Sequence, residues 1–186
     1  KYKQNSDKNK VDYGRLTSTK LPLLYKIYKN VFANDRHSIL SNFGKFCEEY
    51  KWWLNDFAIF MAVKTFFGGR CWIEWPEDIK MRYQYALEYY GNKLKDEILY
   101  HKFLQYIFFE QWRQNKNYAN SKKIEIIGDV PIFVALDSSD VWSQKHYFLL
   151  DDKANPKFVA GVLPDYFSET GQLWGNLLYN WDSFRP

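Results

Sequence analysis

Apolar residues recur at intervals of three and four along the chain from about residue 20 to residue 115. This period is typical of helices that bury one face. It predicts five helices, at about 20–33, 38–50, 53–67, 76–90 and 94–115. Gly68-Gly69 and Gly91-Asn92 mark the ends of the third and fourth helices, because glycine commonly ends a helix. The polar stretches at 1–17 and 116–123 are predicted to be coil and a connector.

The pattern changes at residue 124, where a short apolar run replaces the helical period. Ile124, Ile126 and Ile127 are β-branched and are followed by Gly128, so this run predicts a buried strand. Asp129 comes directly after the strand, at the kind of strand end where α/β folds build their sites. The alternative is that Asp129 only caps the junction between strand and loop.

Two further local patterns follow this strand. Asp137, with Asp140 three residues later, predicts the start of a short helix with Asp137 as its N-cap. The segments 147–152 and 155–159 are predicted to be a short hairpin or paired loop segments, with a turn at 152–155.

Composition indicates a globular protein with a sizeable core, since 46% of residues are hydrophobic and 20% are aromatic. No run of eighteen apolar residues is present, so we expect no membrane-spanning helix. We see no signal peptide, and the missing initiator Met leads us to expect a piece of a longer chain. Two cysteines are too few for a disulfide framework and indicate free thiols in a reducing cytoplasm. The three histidines stand far apart, so we expect no metal site.

The net charge of +4 is concentrated near the start of the chain, where residues 1–30 carry eight Lys/Arg against two Asp. A nucleic-acid-binding face requires basic residues clustered on one surface. A solvated basic tail explains this distribution better, so we expect no nucleic-acid partner.

Three segments carry a resemblance to a known family. Residues 126–142 read IIGDVPIFVALDSSDVW, residues 159–179 read VAGVLPDYFSETGQLWGNLLY, and residues 53–64 read WLNDFAIFMAVK. In this order and at this spacing they resemble the 4-α-glucanotransferases of glycoside hydrolase family 77, called amylomaltases or disproportionating enzymes. The departures are few: Leu163 and Leu177 stand where the family has proline, and Ser139 stands where it has alanine. Losing two prolines should make the second segment less rigid.

The resemblance implies an α/β fold class, as a fragment of a (β/α)₈ barrel dominated by an inserted helical subdomain. Residues 1–120 would form that subdomain, and residues 121–186 would form barrel strand three and a long loop over the active-site face. Trp53, Trp72 and Trp75 could be sugar platforms, but aromatic residues at helical spacing more often pack a core. We therefore expect them in the core.

The resemblance also implies a retaining mechanism, in which one carboxylate attacks the sugar and a second acts as acid and base. In the family these groups lie on later barrel strands, and the nucleophile follows an arginine in an R-x-D-H pattern. Nothing in this sequence matches that pattern. We therefore assign no catalytic residue and expect the isolated chain to be inactive. No cofactor or metal is implied.

The resemblance assigns substrate contacts to seven residues. Asp129 would support the sugar at the cleavage point, and aromatic rings with short polar neighbours would line the acceptor side. The residues are Asp129, Asp165, Tyr166, Phe167, Gln172, Trp174 and Asn176. The alternative for the loop is plain aromatic packing. The implied partners are a malto-oligosaccharide or starch glucan and the remainder of the chain's own barrel. A hydrolase of the α-amylase clan and a glucan-binding module remain as alternative functions.

Overall fold

The computed structural model describes residues 10–34 and 36–184, in which seven α-helices precede a small two-stranded sheet. The first six helices form the first two thirds of the chain, and the seventh lies between them and the sheet. Their bounds are α1 Tyr13–Ala33, α2 His37–Glu49, α3 Lys51–Phe66, α4 Glu77–Lys80, α5 Gln84–Lys93, α6 Lys95–Ser121, α7 Ser139–Ser143, β1 Val159–Val162 and β2 Gln172–Leu177.

The predictions of α2 and α3 are confirmed, whereas α1 begins earlier than the pattern suggested. Asp12 caps α1, because its carboxylate accepts a hydrogen bond from the Arg15 N–H at 2.9 Å. Residues 13–17 are therefore helical, and the prediction of coil there was wrong. The same prediction for residues 1–9 lies outside the described residues.

The predicted fourth helix is divided into α4 and α5. Arg82 lies between them with a φ of 62°, a left-handed conformation that ends α4 after one turn. Gly91 and Asn92 then lie inside α5 rather than at its end, because Tyr90 and Leu94 anchor this turn in the core. Likewise α6 continues to Ser121, so most of the predicted polar connector is helix.

Helix α3 is the centre of the packing, since it contributes to both apolar clusters of the described residues. Its first half reaches a cluster with α1, α2 and α6 through the fully buried Leu54. Its second half reaches a cluster that also holds Trp72 and Trp75, both nearly or fully buried. The prediction that these two tryptophans pack the core is confirmed.

Two buried indoles connect the helices to the rest of the chain. Trp72 donates from Nε1 to the Leu136 carbonyl at 2.7 Å, and Trp142 donates from Nε1 to the Ile79 carbonyl at 3.1 Å. Because each buried donor is satisfied across the junction, α7 and the segment before it are held against α4 and the turn that precedes it.

Helix α7 has a different cap from the one the sequence predicted. Ser138 is the N-cap, and its hydroxyl accepts from the Val141 N–H at 3.3 Å. Asp137 instead forms an ion pair with Lys64 of α3 and accepts from the Trp72 N–H at 3.4 Å. The predicted cap was wrong because a cation 73 residues away competes for the carboxylate.

The strand predicted at residues 124–127 is absent from this structure. Residues 124–130 form neither helix nor strand, and the Ile127 side chain is 93% exposed. A barrel strand requires hydrogen-bonding neighbours on both sides, and no described residue pairs with this segment. The sheet that does form is the antiparallel pair of β1 and β2.

The predicted pairing of residues 147–152 with 155–159 is confirmed. Leu150 bridges Pro156 in antiparallel fashion, and the Asp151 carboxylate accepts from the N–H groups of Lys153 and Asn155 at 2.9 and 2.8 Å. Among the described helices, none is both long and apolar enough to cross a membrane.

Candidate functional site

The aromatic loop (residues 165–176) begins with a tight turn that Asp165 holds in shape. One oxygen of its carboxylate accepts from the N–H groups of both Phe167 and Ser168, each at 2.9 Å. The backbones of Asp165 and Ser168 also bond to each other. This turn places the rings of Tyr166 and Phe167 at its tip, where they are 98% and 88% exposed.

Gly171 allows the loop to return alongside β1. Its φ is +72°, and a β-carbon built there would lie 2.6 Å from the Val162 carbonyl oxygen. Both the left-handed conformation and the close backbone contact require glycine. The chain then enters β2, where Val162 pairs with Gln172.

Trp174 lies in an irregular part of β2. The register shifts between Val159 and Gly161, so Trp174, Gly175 and Asn176 together face a single residue of β1. Such a bulge redirects side chains. The Trp174 indole is half-exposed and donates to the Gln172 side-chain oxygen at 3.0 Å, which fixes both side chains in one arrangement.

The structure brings the loop next to the segment that follows Asp129. The rings of Phe133 and Trp174 meet edge to face, with centroids 6.5 Å apart. Beside this contact an apolar groove of about 410 Å³ runs between Phe133 and Trp181, with Leu149 and Leu178 in its wall. The aromatic loop and the segment that follows Asp129 are therefore neighbours.

Asp129 is exposed and has few contacts in this structure. Within residues 10–34 and 36–184, its hydrogen-bond partner is the Val130 N–H, at 2.8 Å. No hydrogen bond joins it to the aromatic loop. Of the seven predicted residues, six therefore share the β1–β2 loop region, and Asp129 stands apart from them.

Sequence analysis missed a cationic group behind α7. Arg82 donates to the Asp56 carboxylate at 2.6 Å, and its guanidinium carbon lies 4.2 Å from the Trp142 ring centroid. Lys145 donates to the Trp142 carbonyl at 3.1 Å. Burial, with Arg82 and Lys80 nearby, lowers the pKa of Lys145 to about 8. No local pattern signals this group, because its members come from three separate parts of the chain.

The described residues contain no group of three or more His, Cys, Asp or Glu side chains that could hold a metal ion. Cys47 and Cys71 are free, half-buried thiols, and burial raises the pKa of both. A raised pKa disfavours the reactive thiolate, so neither is suited to act as a nucleophile.

The chain is similar to known proteins over nearly its whole length. A family model described as 4-alpha-glucanotransferase matches residues 1–186. A 4-alpha-glucanotransferase of Clostridium butyricum is 47% identical over 176 residues, which are 94% of this chain and 35% of the relative. One from Thermus thermophilus is 44% identical over 93% of this chain and 35% of its own length.

A solved structure gives the same relationship in three dimensions. An amylomaltase from Streptococcus agalactiae, in complex with acarbose, superposes with a TM-score of 0.85 at 44% identity, covering 92% of this chain and 34% of that one. The chain thus spans about a third of the length of the relatives it matches. The chain therefore belongs to glycoside hydrolase family 77, the 4-alpha-glucanotransferases.

Proposed function

We propose that this chain is part of a 4-α-glucanotransferase that moves α-1,4-glucan segments between malto-oligosaccharides or starch chains. The full-length enzyme cleaves an α-1,4 bond, holds the glucosyl segment covalently on a carboxylate, and passes it to the 4-hydroxyl of another glucan. The nucleophile and the acid/base lie outside this chain, so the chain alone has no activity. The reaction needs no cofactor or metal.

The aromatic loop is the observation that carries this proposal. Its tip holds two exposed rings on a turn fixed by Asp165, and its base holds Trp174 fixed by Gln172. Flat rings suit the apolar C–H face of glucose, and adjacent amides and carboxylates suit its hydroxyls. Such a loop can cover a bound glucan and exclude water, which favours a sugar acceptor over hydrolysis.

Asp129 has a supporting role in this proposal. In the full-length enzyme, residues 124–127 form the third strand of a (β/α)₈ barrel, and Asp129 hydrogen-bonds the sugar at the cleavage point. Its exposed carboxylate, free of competing side chains among the described residues, supports this role. Residues 1–120 form an inserted helical subdomain, and residues 121–186 supply the strand and the loop over the barrel.

The remainder of the barrel is the partner that this arrangement requires. Ile127, Val130 and Ile132 are 93%, 82% and 79% exposed, and such a row of apolar side chains marks a surface that something else covers. Neighbouring barrel strands and helices would cover it and supply the missing hydrogen bonds.

Product analysis of the full-length enzyme with maltotriose tests this function. Glucose together with a ladder of longer malto-oligosaccharides is the expected result. Glucose and maltose without a ladder would assign a hydrolase instead. Glucan binding without any reaction would assign the protein as a glucan-binding module instead of an enzyme.

A further inference from the structure

A second cleft lies on the helical part of the chain, between α2 and α6. Its volume is about 520 Å³, within the range of pockets that hold small ligands. Asn42 and Glu49 line it from α2, and Glu110, Trp112 and Arg113 line it from α6. None of residues 129–176 contributes to this α2–α6 cleft.

The floor of the α2–α6 cleft is aromatic. Phe109 packs against Phe46 and Tyr50 with centroid distances of 5.4 and 5.2 Å, and Tyr106 lies 5.7 Å from Phe46. The Trp112 side chain is 43% exposed, so its ring is open to a ligand. The cleft therefore offers flat apolar surfaces held between two packed helices.

The polar rim of the cleft carries charges of both signs. Arg113 donates to both oxygens of Glu110 at 2.6 Å. The Tyr50 hydroxyl donates a hydrogen bond to Glu49, which raises the pKa of this phenol. The lining holds two acidic and three basic side chains, and the two acids disfavour binding of a phosphate group or a nucleic-acid backbone. Aromatic surfaces with closely spaced donors and acceptors suit a neutral ligand rich in hydroxyl groups.

We propose that the α2–α6 cleft binds a short stretch of α-glucan and holds long substrates on the enzyme. Trp112 stacks on the C–H face of a glucose unit, and Asn42, Glu49 and Arg113 exchange hydrogen bonds with its hydroxyls. The choice of α-glucan as the ligand rests on the proposed transferase function. The presence of the cleft follows from the packing of α2 against α6 and does not depend on that function.

Affinity electrophoresis of the full-length enzyme in gels containing amylopectin tests the cleft. Trp112→Ala should weaken retention about tenfold, the usual effect of truncating an aromatic anchor. Trp112→Tyr, which keeps a ring, should recover most of the retention. Trp52→Ala is the matched control, because Trp52 is 77% exposed on α3 and does not line the cleft. A gel containing hydroxyethylcellulose, which has no α-linkages, should retain none of the variants.

Equal retention of Trp112→Ala and Trp52→Ala would overturn the inference, as would equal retention in both gels. A fall in the unfolding temperature of Trp112→Ala that accounts for its loss of retention would also overturn it. A different result would contradict the proposed transferase function without contradicting the cleft. An enzyme that amylopectin retains through Trp112, but that makes no ladder from maltotriose, would contradict the transferase and keep the cleft.

Discussion

Trp174 of β2 and Phe133, 41 residues earlier, meet edge to face with ring centroids 6.5 Å apart. This contact joins the aromatic loop to the segment that leaves Asp129. The aromatic loop therefore packs against the segment that follows Asp129. The contact also leaves half of the indole exposed and available to a sugar.

Trp174→Ala in the full-length enzyme should impair transfer to long acceptors. Losing the ring removes one stacking surface, which we expect to raise the KM for malto-oligosaccharide acceptors about tenfold. The unfolding temperature should change little, because the indole is half-exposed. Rates measured with acceptors of increasing length check this, with Trp52→Ala as the control at an exposed tryptophan of α3. An acceptor profile identical to the wild type would remove Trp174 from the site.

Gly171→Ala should damage the loop more than the equivalent change at Gly175. Both glycines have a left-handed φ, but only a β-carbon at Gly171 meets backbone, at 2.6 Å from the Val162 oxygen. We expect a loss of about 1 kcal/mol at Gly175 and roughly 2 kcal/mol or more at Gly171. Denaturant unfolding of both variants measures the difference. Equal losses would show that conformational strain alone, without the close contact, fixes the return of the loop.

Asp129→Asn should lower turnover while leaving the fold intact. The asparagine oxygen can still accept from the Val130 N–H, so the local hydrogen bond survives. The charge-assisted bond to a sugar hydroxyl is lost, which should reduce kcat/KM by roughly ten- to a hundredfold. Steady-state rates and an unfolding curve are the two measurements. Full activity in this variant would assign Asp129 to a purely structural role at the strand end.

Lys145 should make stability rise with pH in the alkaline range. Its folded pKa of about 8 is below the ordinary lysine value of 10.5, so the folded state loses this proton first. Below pH 8 both states carry the charge, and the folded state bears the full cost of burying it. Between pH 8 and 10.5 the folded state is relieved of that cost, and stability increases.

Lys145→Met should remove that contribution. The difference in unfolding temperature between the wild type and Lys145→Met should be smallest near pH 10.5 and largest near pH 7.5. At pH 7.5 the Lys145→Met variant should be the more stable protein. Lys26→Met, at an exposed lysine of α1, serves as the control. A difference between wild type and Lys145→Met that stays constant across this pH range would contradict the assignment.

Local signals in the sequence were sufficient for the helices that pack the core. The apolar period of α2 and α3 predicted both helices. Phe43 and Phe46 of α2 are buried three residues apart, and Leu54 and Ala58 of α3 are buried four residues apart. The start of α1 was missed because its signal is a single cap, Asp12, before a helix that contains Pro22. The break at Arg82 was missed because glycine or asparagine, not arginine, usually adopts a left-handed φ.

The rest depends on contacts between distant residues. The ion pair of Lys64 and Asp137 spans 73 positions, and no period or motif predicts it. The strand predicted at 124–127 does not form, and no described residue pairs with this segment as a neighbouring strand. The aromatic loop was recognised from its motif, but the way Asp165 and Gly171 shape it follows only from the backbone geometry.

Transfer to a labelled acceptor is the decisive test of the proposed 4-α-glucanotransferase activity. The full-length enzyme would be incubated with unlabelled maltotriose and radiolabelled glucose, and the products separated by chain length. We predict label in maltose and longer oligosaccharides, joined through new α-1,4 bonds. If maltotriose is consumed while all of the label stays in glucose, the enzyme is a hydrolase and the transferase assignment is wrong.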